Sequence, residues 1–188
     1  IGTLKFSKIS AVASQTSGIV DSIHFEAGDK VIKGDVLLQI NSEVLDVQIE
    51  SSKASVSMAK IDLENTWKDY KRYKELMKQK SISVKVFDDS YYRFRISKQN
   101  HNMAKAKLNE HLINKVKKTI KAPYDAVVVE QNIELAEWAN TGKTIATIVS
   151  TNEVDLIFNL PTSYVYKLNK SDNYEITLKG KKILSKLY

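Results

Sequence analysis

The chain has 188 residues, 43% of them hydrophobic and 27% charged, with a net charge of +7. Cysteine is absent, which excludes disulfide frameworks, thiolate metal sites and cysteine nucleophiles. No apolar run approaches the ~18–20 residues that span a bilayer, and Ile1 does not begin a signal peptide, so any targeting segment lies outside this sequence.

The charge is segregated. Lys53 to Lys121 holds 18 basic and 7 acidic residues, a local +11, whereas the remainder holds 11 against 15, or −4. A basic middle between mildly acidic flanks implies at least two modules.

The first flank reads GIVDSIHFEAGDKVIKGDVLLQI from Gly18 to Ile40. Short β-branched stretches alternate with Gly-containing turns, the signature of an all-β unit. From Glu43 to Lys80 there is neither Gly nor Pro, and Leu45, Ile49, Ser52, Val56, Ala59, Leu63, Thr66, Tyr70, Tyr73 and Met77 keep strict 4-3 spacing. Such spacing predicts one strand of a coiled coil. Small Ser52, Ala59 and Thr66 favour a close partner helix.

The return helix is predicted from about Val84 to Lys118, with Phe87, Tyr91, Phe94, His101, Ala104, Leu108 and Leu112 facing inward. Lys80 to Ser83 forms the break between the helices, Ser83 capping the second. Ala122-Pro123 stops it, because proline disfavours a helical residue before it. Each helix would measure about 50–57 Å at 1.5 Å per residue, a rod that serves as a spacer with its business end at the tip.

The second flank, AVVVEQNIELAEWANTGKTIATIV from Ala126 to Val149, repeats the first at an offset of 108 residues. Val20 meets Val128, Phe25 meets Ile133, Gly34 meets Gly142, Leu37 meets Ile145 and Ile40 meets Ile148. A register held over more than twenty residues points to one supersecondary unit used twice. Neither copy can bury a core alone, so the two should pack as a small β-sandwich. Ala126 and Ala136 replace Gly18 and Gly28, so those turns either avoid positive φ or are strained. The tail reads as a strand (Val154 to Leu160), a helical turn (Pro161 to Leu168) and a strand (Tyr174 to Leu178).

This order of half-motif, hairpin and half-motif resembles the periplasmic adaptors, or membrane fusion proteins, of tripartite efflux pumps, the proton-driven RND type in particular. SGIVDSIHFEAGDKVIKGDVLLQI is close to the family's lipoyl half-motif, and Ala122-Pro123-Tyr124-Asp125 looks like its Ala-Pro-aromatic-Asp-Gly, with Ala126 in place of the Gly. Arg72, Leu76 and Ser83 match the family's channel-docking spacing across the predicted turn.

The resemblance implies an α+β fold: a lipoyl-like β-sandwich (barrel-sandwich hybrid) in two halves, 1–42 and 120–150. It is interrupted by an antiparallel hairpin, 43–119, and followed by part of a β-barrel domain, 151–188. It also implies a non-enzymatic periplasmic subunit anchored to the inner membrane by a segment outside this sequence. Such a subunit assembles as a ring of copies. Its partners are an inner-membrane efflux transporter and an outer-membrane channel, the latter bound through Arg72, Leu76 and Ser83. No cofactor or metal is expected.

Other readings fare less well. A lipoyl or biotinyl carrier needs a lysine in the turn after the first half-motif, where Asn41-Ser42-Glu43 stands. His24, His101 and His111 share no metal-binding spacing, and no phosphate loop or nucleophile elbow is present. Met58, Met77 and Met103 are spread along the hairpin and fit core packing better than metal transfer. The alternative from another class is a basic coiled-coil nucleic-acid-binding protein, resting on the +11 hairpin with Trp67, Tyr70, Tyr73, Tyr91, Tyr92 and Phe94. Tyr70, Tyr73, Tyr91 and Phe94 fall on the predicted seam, however, and Lys60, Lys68, Lys71, Lys74 and Lys78 point outward, so no nucleic acid is expected.

Overall fold

The computed structural model describes residues 2–151, 154–158, 173–178 and 181–186. The chain divides into two compact units, one of Ile9–Asn152 and one of Ile1–Lys8 with Glu153–Tyr188.

The larger unit contains strands β2 (Ile9–Ala13), β3 (Gly18–Ile23), β4 (Lys30–Val31) and β5 (Val36–Ile40), then helices α1 (Glu43–Lys78) and α2 (Val84–Lys117). After the helices come β6 (Thr119–Lys121), β7 (Ala126–Gln131), β8 (Trp138–Ala139) and β9 (Thr144–Ser150). They form two four-stranded sheets, ordered β2-β9-β7-β4 and β6-β5-β3-β8. Adding 108 to the residue numbers of β3, β4 and β5 gives the starts of β7, β8 and β9. Exchanging the two sets of strands, with β2 for β6, turns one sheet order into the other. The fold is therefore a two-fold pseudo-symmetric barrel-sandwich hybrid.

Backbone hydrogen bonds repeat at the same offset. Val20 N–H donates to the Glu137 carbonyl at 3.0 Å, and Val128 N–H donates to the Asp29 carbonyl at 2.9 Å. Gly34 N–H reaches the Ala122 carbonyl and Gly142 N–H the Ser14 carbonyl, each at 2.8 Å. Each half thus satisfies turn amides of the other. The core is equally paired: Val20, Leu37 and Ile40 are fully buried, as are Val128, Ile145 and Ile148. Burying such side chains contributes about 1.5–3 kcal/mol each, set against the chain entropy of ordering them.

The two Gly-to-Ala departures resolve differently. Ala136 keeps the left-handed backbone, φ +62°, of its counterpart Gly28 at φ +100°, whereas Ala126 has no positive φ. Gly18 itself is required: a Cβ there would lie 2.7 Å from Ile40 Cγ2 and 2.9 Å from Lys118 Nζ. That ammonium donates to the Ser17 carbonyl at 2.8 Å.

The smaller unit contains β1 (Gly2–Phe6), which pairs antiparallel with β10 (Val154–Phe158), and β11 (Asn173–Leu178), which pairs antiparallel with β12 (Lys181–Lys186). The β-rich tail is thus as read, with β12 added. The first strand departs from the expected boundary of 1–42, because its ladder partner is β10 rather than a sandwich strand. The helical turn expected over Pro161 to Leu168 lies outside the described residues.

At the root of the hairpin, Ile40 N–H donates to the Lys118 carbonyl at 2.9 Å and Asn41 N–H to the Ile19 carbonyl at 2.8 Å. Lys115 Nζ lies 2.6 Å from Asp46 Oδ1, tying α2 to α1, and Ser42 Oγ donates to Asp46 at 3.0 Å. The Lys115 contact, followed by the Ser42 hydroxyl, holds the Asp46 carboxyl below its ordinary range.

Two outcomes are expected. Ala136→Gly should raise stability by about 0.5–1 kcal/mol through relief of the left-handed strain, read as a higher urea midpoint at constant slope, while Gly28→Ala should lower it by about 1 kcal/mol. For Asp46, the unfolded chain takes up a proton at higher pH than the folded chain. The Asp46–Lys115 pair therefore contributes stability above about pH 4 and loses it as pH falls through the lower folded value. Thermal melts across this acid window should show the wild type losing more stability than Asp46→Asn.

Candidate functional site at the hairpin tip

The two helices run about 54 and 51 Å at 1.5 Å per residue and meet along an antiparallel seam. All ten positions read from the 4-3 spacing of α1 are buried or half-buried, Ile49 most completely. On α2 the seam runs through Phe87, Ser90, Phe94, Ser97, His101, Ala104, Leu108, His111 and Asn114. Two expected inner residues differ. Leu112 is exposed, and Tyr91 sits at the margin, 37% exposed with its ring 5.6 Å from Tyr70.

The physical reason is room. Two seam positions of α2 carry small side chains, Ser90 and Ser97, and both are buried. Ser97 Oγ and Thr66 Oγ1 share a hydrogen bond at 2.5 Å, and Ser90 and Ser97 donate to the Phe87 and Phe94 carbonyls at 2.6 and 2.9 Å. Each buried hydroxyl is thereby satisfied. Met58 and Met103, expected in the core, are exposed because they fall off the seam, whereas Met77 is half-buried on it.

Between mid-hairpin and tip the seam turns aromatic. Tyr70 stacks on Phe94 at 5.6 Å with planes 11° apart, and it contacts Phe87 at 5.8 Å. Trp67 lies 4.9 Å from Phe94 and 5.7 Å from Tyr70. Such pairs contribute about 0.5–1.5 kcal/mol each beyond area burial and hold the distal hairpin together. Tyr70 and Phe94 are thus consumed in joining the helices.

The turn itself carries a motif that the sequence does not announce. Lys80 adopts φ +56°, its N–H donates to the Met77 carbonyl at 3.0 Å, and Ser81 N–H donates to the Leu76 carbonyl at 2.9 Å. This is the bond pattern of a Schellman helix end, with lysine where glycine is usual. Ser83 caps α2 by accepting from Val86 N–H at 3.4 Å.

The three residues of the docking spacing occupy the last two turns of α1 and the first cap of α2. Among the described residues no hydrogen bond joins one to another. Arg72 is exposed, with Nη2 2.7 Å from Asp69 Oδ1 and the guanidinium 5.4 Å from the Tyr73 ring centroid. Leu76 is half-buried and Ser83 exposed. On the same flank a groove of about 260 Å³ is lined by Asp69, Tyr73, Val86, Asp89 and Arg93 among others. The opposite flank carries a more apolar groove of about 320 Å³, lined by Leu63, Glu64, Trp67, Phe94 and Lys98. Among the described residues no cluster of His, Asp or Glu could hold a metal ion.

A family model described as "CzcB-like, barrel-sandwich hybrid domain" matches residues 8–150. The multidrug resistance protein MdtA of Yersinia enterocolitica is 27% identical over 165 residues, 87% of this chain and 37% of that protein. MdtA of Photorhabdus laumondii is 24% identical over 163 residues, 86% of this chain and 41% of that protein. The chain therefore spans about two fifths of the length of these curated relatives.

Among solved structures, the membrane fusion protein Spr0693 of Streptococcus pneumoniae R6 superposes with a TM-score of 0.71 at 18% identity, covering 98% of this chain and 79% of that one. MacA of Actinobacillus actinomycetemcomitans gives 0.69 at 19% identity, covering 98% and 63%. The fold is shared with both.

Tyr70→Ala should open the distal hairpin. Losing its ring contacts costs about 2 kcal/mol, so amide hydrogen exchange over the last turns of α1 and the first turns of α2 should quicken about thirtyfold.

Proposed function

The chain belongs to the CzcB-like barrel-sandwich hybrid family, and we propose that it serves as a periplasmic adaptor whose hairpin tip docks on an outer-membrane channel. In this reading its other end serves an inner-membrane efflux transporter. The reading is supported most by one observation: Arg72, Leu76 and Ser83 surround the end of a rod whose root is fastened to the sandwich by backbone hydrogen bonds.

The tip chemistry suits recognition of a helix end. Asp69 engages one N–H of Arg72, and a guanidinium has five, so four remain for acceptors on a partner. Ser83 uses its oxygen as an acceptor for Val86 N–H, which leaves its hydroxyl proton to give away. Leu76 supplies apolar contact one helical turn nearer the tip than Arg72. One such tip is a small interface, and a ring of adaptors around a channel gains by multivalency.

The role so proposed is structural and coupling rather than catalytic, with transport energy drawn from the transporter, here of the proton-driven type. The printed names of the MdtA relatives support multidrug export as the setting. No described helix is long and apolar enough to cross a membrane. Anchoring is assigned to a segment outside this sequence.

A chain without native cysteine lends itself to site-directed crosslinking. A cysteine at Gln79, in the turn but outside the docking triplet, should give an adduct with an outer-membrane channel protein in cells. The same probe at exposed mid-hairpin Met58 should give none. Arg72→Ala or Leu76→Ala should reduce the Gln79 adduct severalfold. A folded, exported protein that yields no channel adduct from Gln79 would return the triplet to ordinary hairpin residues.

A further inference from the structure

The two flanks of the distal hairpin differ in charge. On the flank bearing Arg72, cations and carboxylates are mixed: Arg72 pairs with Asp69, and Arg93 shares the groove with Asp69 and Asp89. On the other flank, cations sit directly on the aromatic cluster. Lys71 Nζ is 4.8 Å from the Trp67 centroid, Lys74 Nζ 6.0 Å from Tyr70 and the Arg95 guanidinium 5.7 Å from Tyr91, while Lys98 lines the groove itself. Among the described residues none of these four has a carboxylate partner. The one acid lining the groove, Glu64, lies 3.9 Å from Lys60.

We propose that the groove between Leu63, Trp67 and Phe94 is a binding site for small amphipathic organic anions. An aromatic ring or short apolar body rests against Trp67, which is 39% exposed, and Phe94, and the acidic group lies between Lys71 and Lys98. The volume of about 320 Å³ is at the small end of the range for organic ligands. The apolar lining from α1 is confined to residues 63–67, little more than one helical turn. That suits a compact molecule better than the long stripe an acidic partner helix requires. Uncompensated cations beside a partly desolvated apolar surface favour an anion over a neutral or cationic molecule of the same shape. The site is independent of the docking triplet, which lies on the other flank and at the tip.

The test uses the intact chain carrying Trp138→Phe, so that Trp67 is the sole indole, titrated with 2-naphthalenesulfonate and followed by Trp67 emission and calorimetry. The expected result is saturable binding that weakens with salt, with the uncharged 2-naphthalenemethanol binding about tenfold more weakly. Lys71→Gln with Lys98→Gln should weaken the sulfonate about fivefold or more and leave the neutral analogue unchanged, whereas arginine at both positions should restore binding.

Circular dichroism of each variant confirms the hairpin. Absence of saturation, equal affinity for neutral or cationic naphthalenes, or wild-type affinity in the folded double Gln variant would each overturn the proposal. So would saturation of Trp67 by an acidic helical peptide when the sulfonate has no effect, which would reassign the flank to a protein.

Discussion

The constraint on which the larger unit depends is the reciprocal hydrogen bonding of its two half-motifs. Gly28 N–H needs the Val128 carbonyl, and Ala136 N–H needs the Val20 carbonyl. A single half would leave these turn amides without partners and its apolar face bare, so neither half is a stable object by itself. The chain that leaves at Ile40 must come back to the same place, because Ile40 N–H is closed by the carbonyl of Lys118. An excursion that departs and returns at one point without further strands is most simply two antiparallel helices of matched length. The 36 and 34 residues of α1 and α2 meet that demand.

Within the hairpin, size complementarity takes over from symmetry. Rings of the two helices pack on one another around Tyr70 and Phe94, while small Thr66 and Ser97 meet through a hydrogen bond across the seam. Rings that cannot fit the seam spill to one side, where Trp67 and Tyr91 remain partly exposed and attract Lys71 and Arg95. The other side keeps Asp69 and Arg72 as a local pair. One packing decision thus produces two chemically distinct flanks below a common tip.

Much of this was legible in the residues, and the exceptions have physical causes. The α1 seam follows the 4-3 rule because apolar, aromatic or small hydroxyl-bearing side chains mark every position. On α2 the rule continues to His111, but Ser90, Ser97 and His111 carry it, and hydrophobicity alone favoured Tyr91 and Leu112 instead. Buried serines give no apolar signal; the visible clue was the small Ser52, Ala59 and Thr66 on the facing helix. The repeat was readable from a constant offset, even through Ala136, whose positive φ is inherited from the geometry of Gly28. Lys80 concealed a helix end usually marked by glycine, and β1 could not be assigned to β10 without long-range pairing. The spacing of Arg72, Leu76 and Ser83 was plain in the sequence, but the groove beside Trp67 emerges only when residues 63–67 and 94–98 come side by side.

The hairpin root also sets how motion is amplified. Two residues, Asn41 and Ser42, separate β5 from α1, and only Lys118 separates α2 from β6, so there is no slack linker at either joint. Asp46–Lys115 and Lys118–Ser17 stand at the pivot of a lever about 54 Å long. A tilt of about 5° there displaces the far end by about 5 Å, the pitch of one helical turn. A sub-ångström adjustment where Lys118 passes over Gly18 therefore becomes a sideways displacement of several ångströms at the distal end.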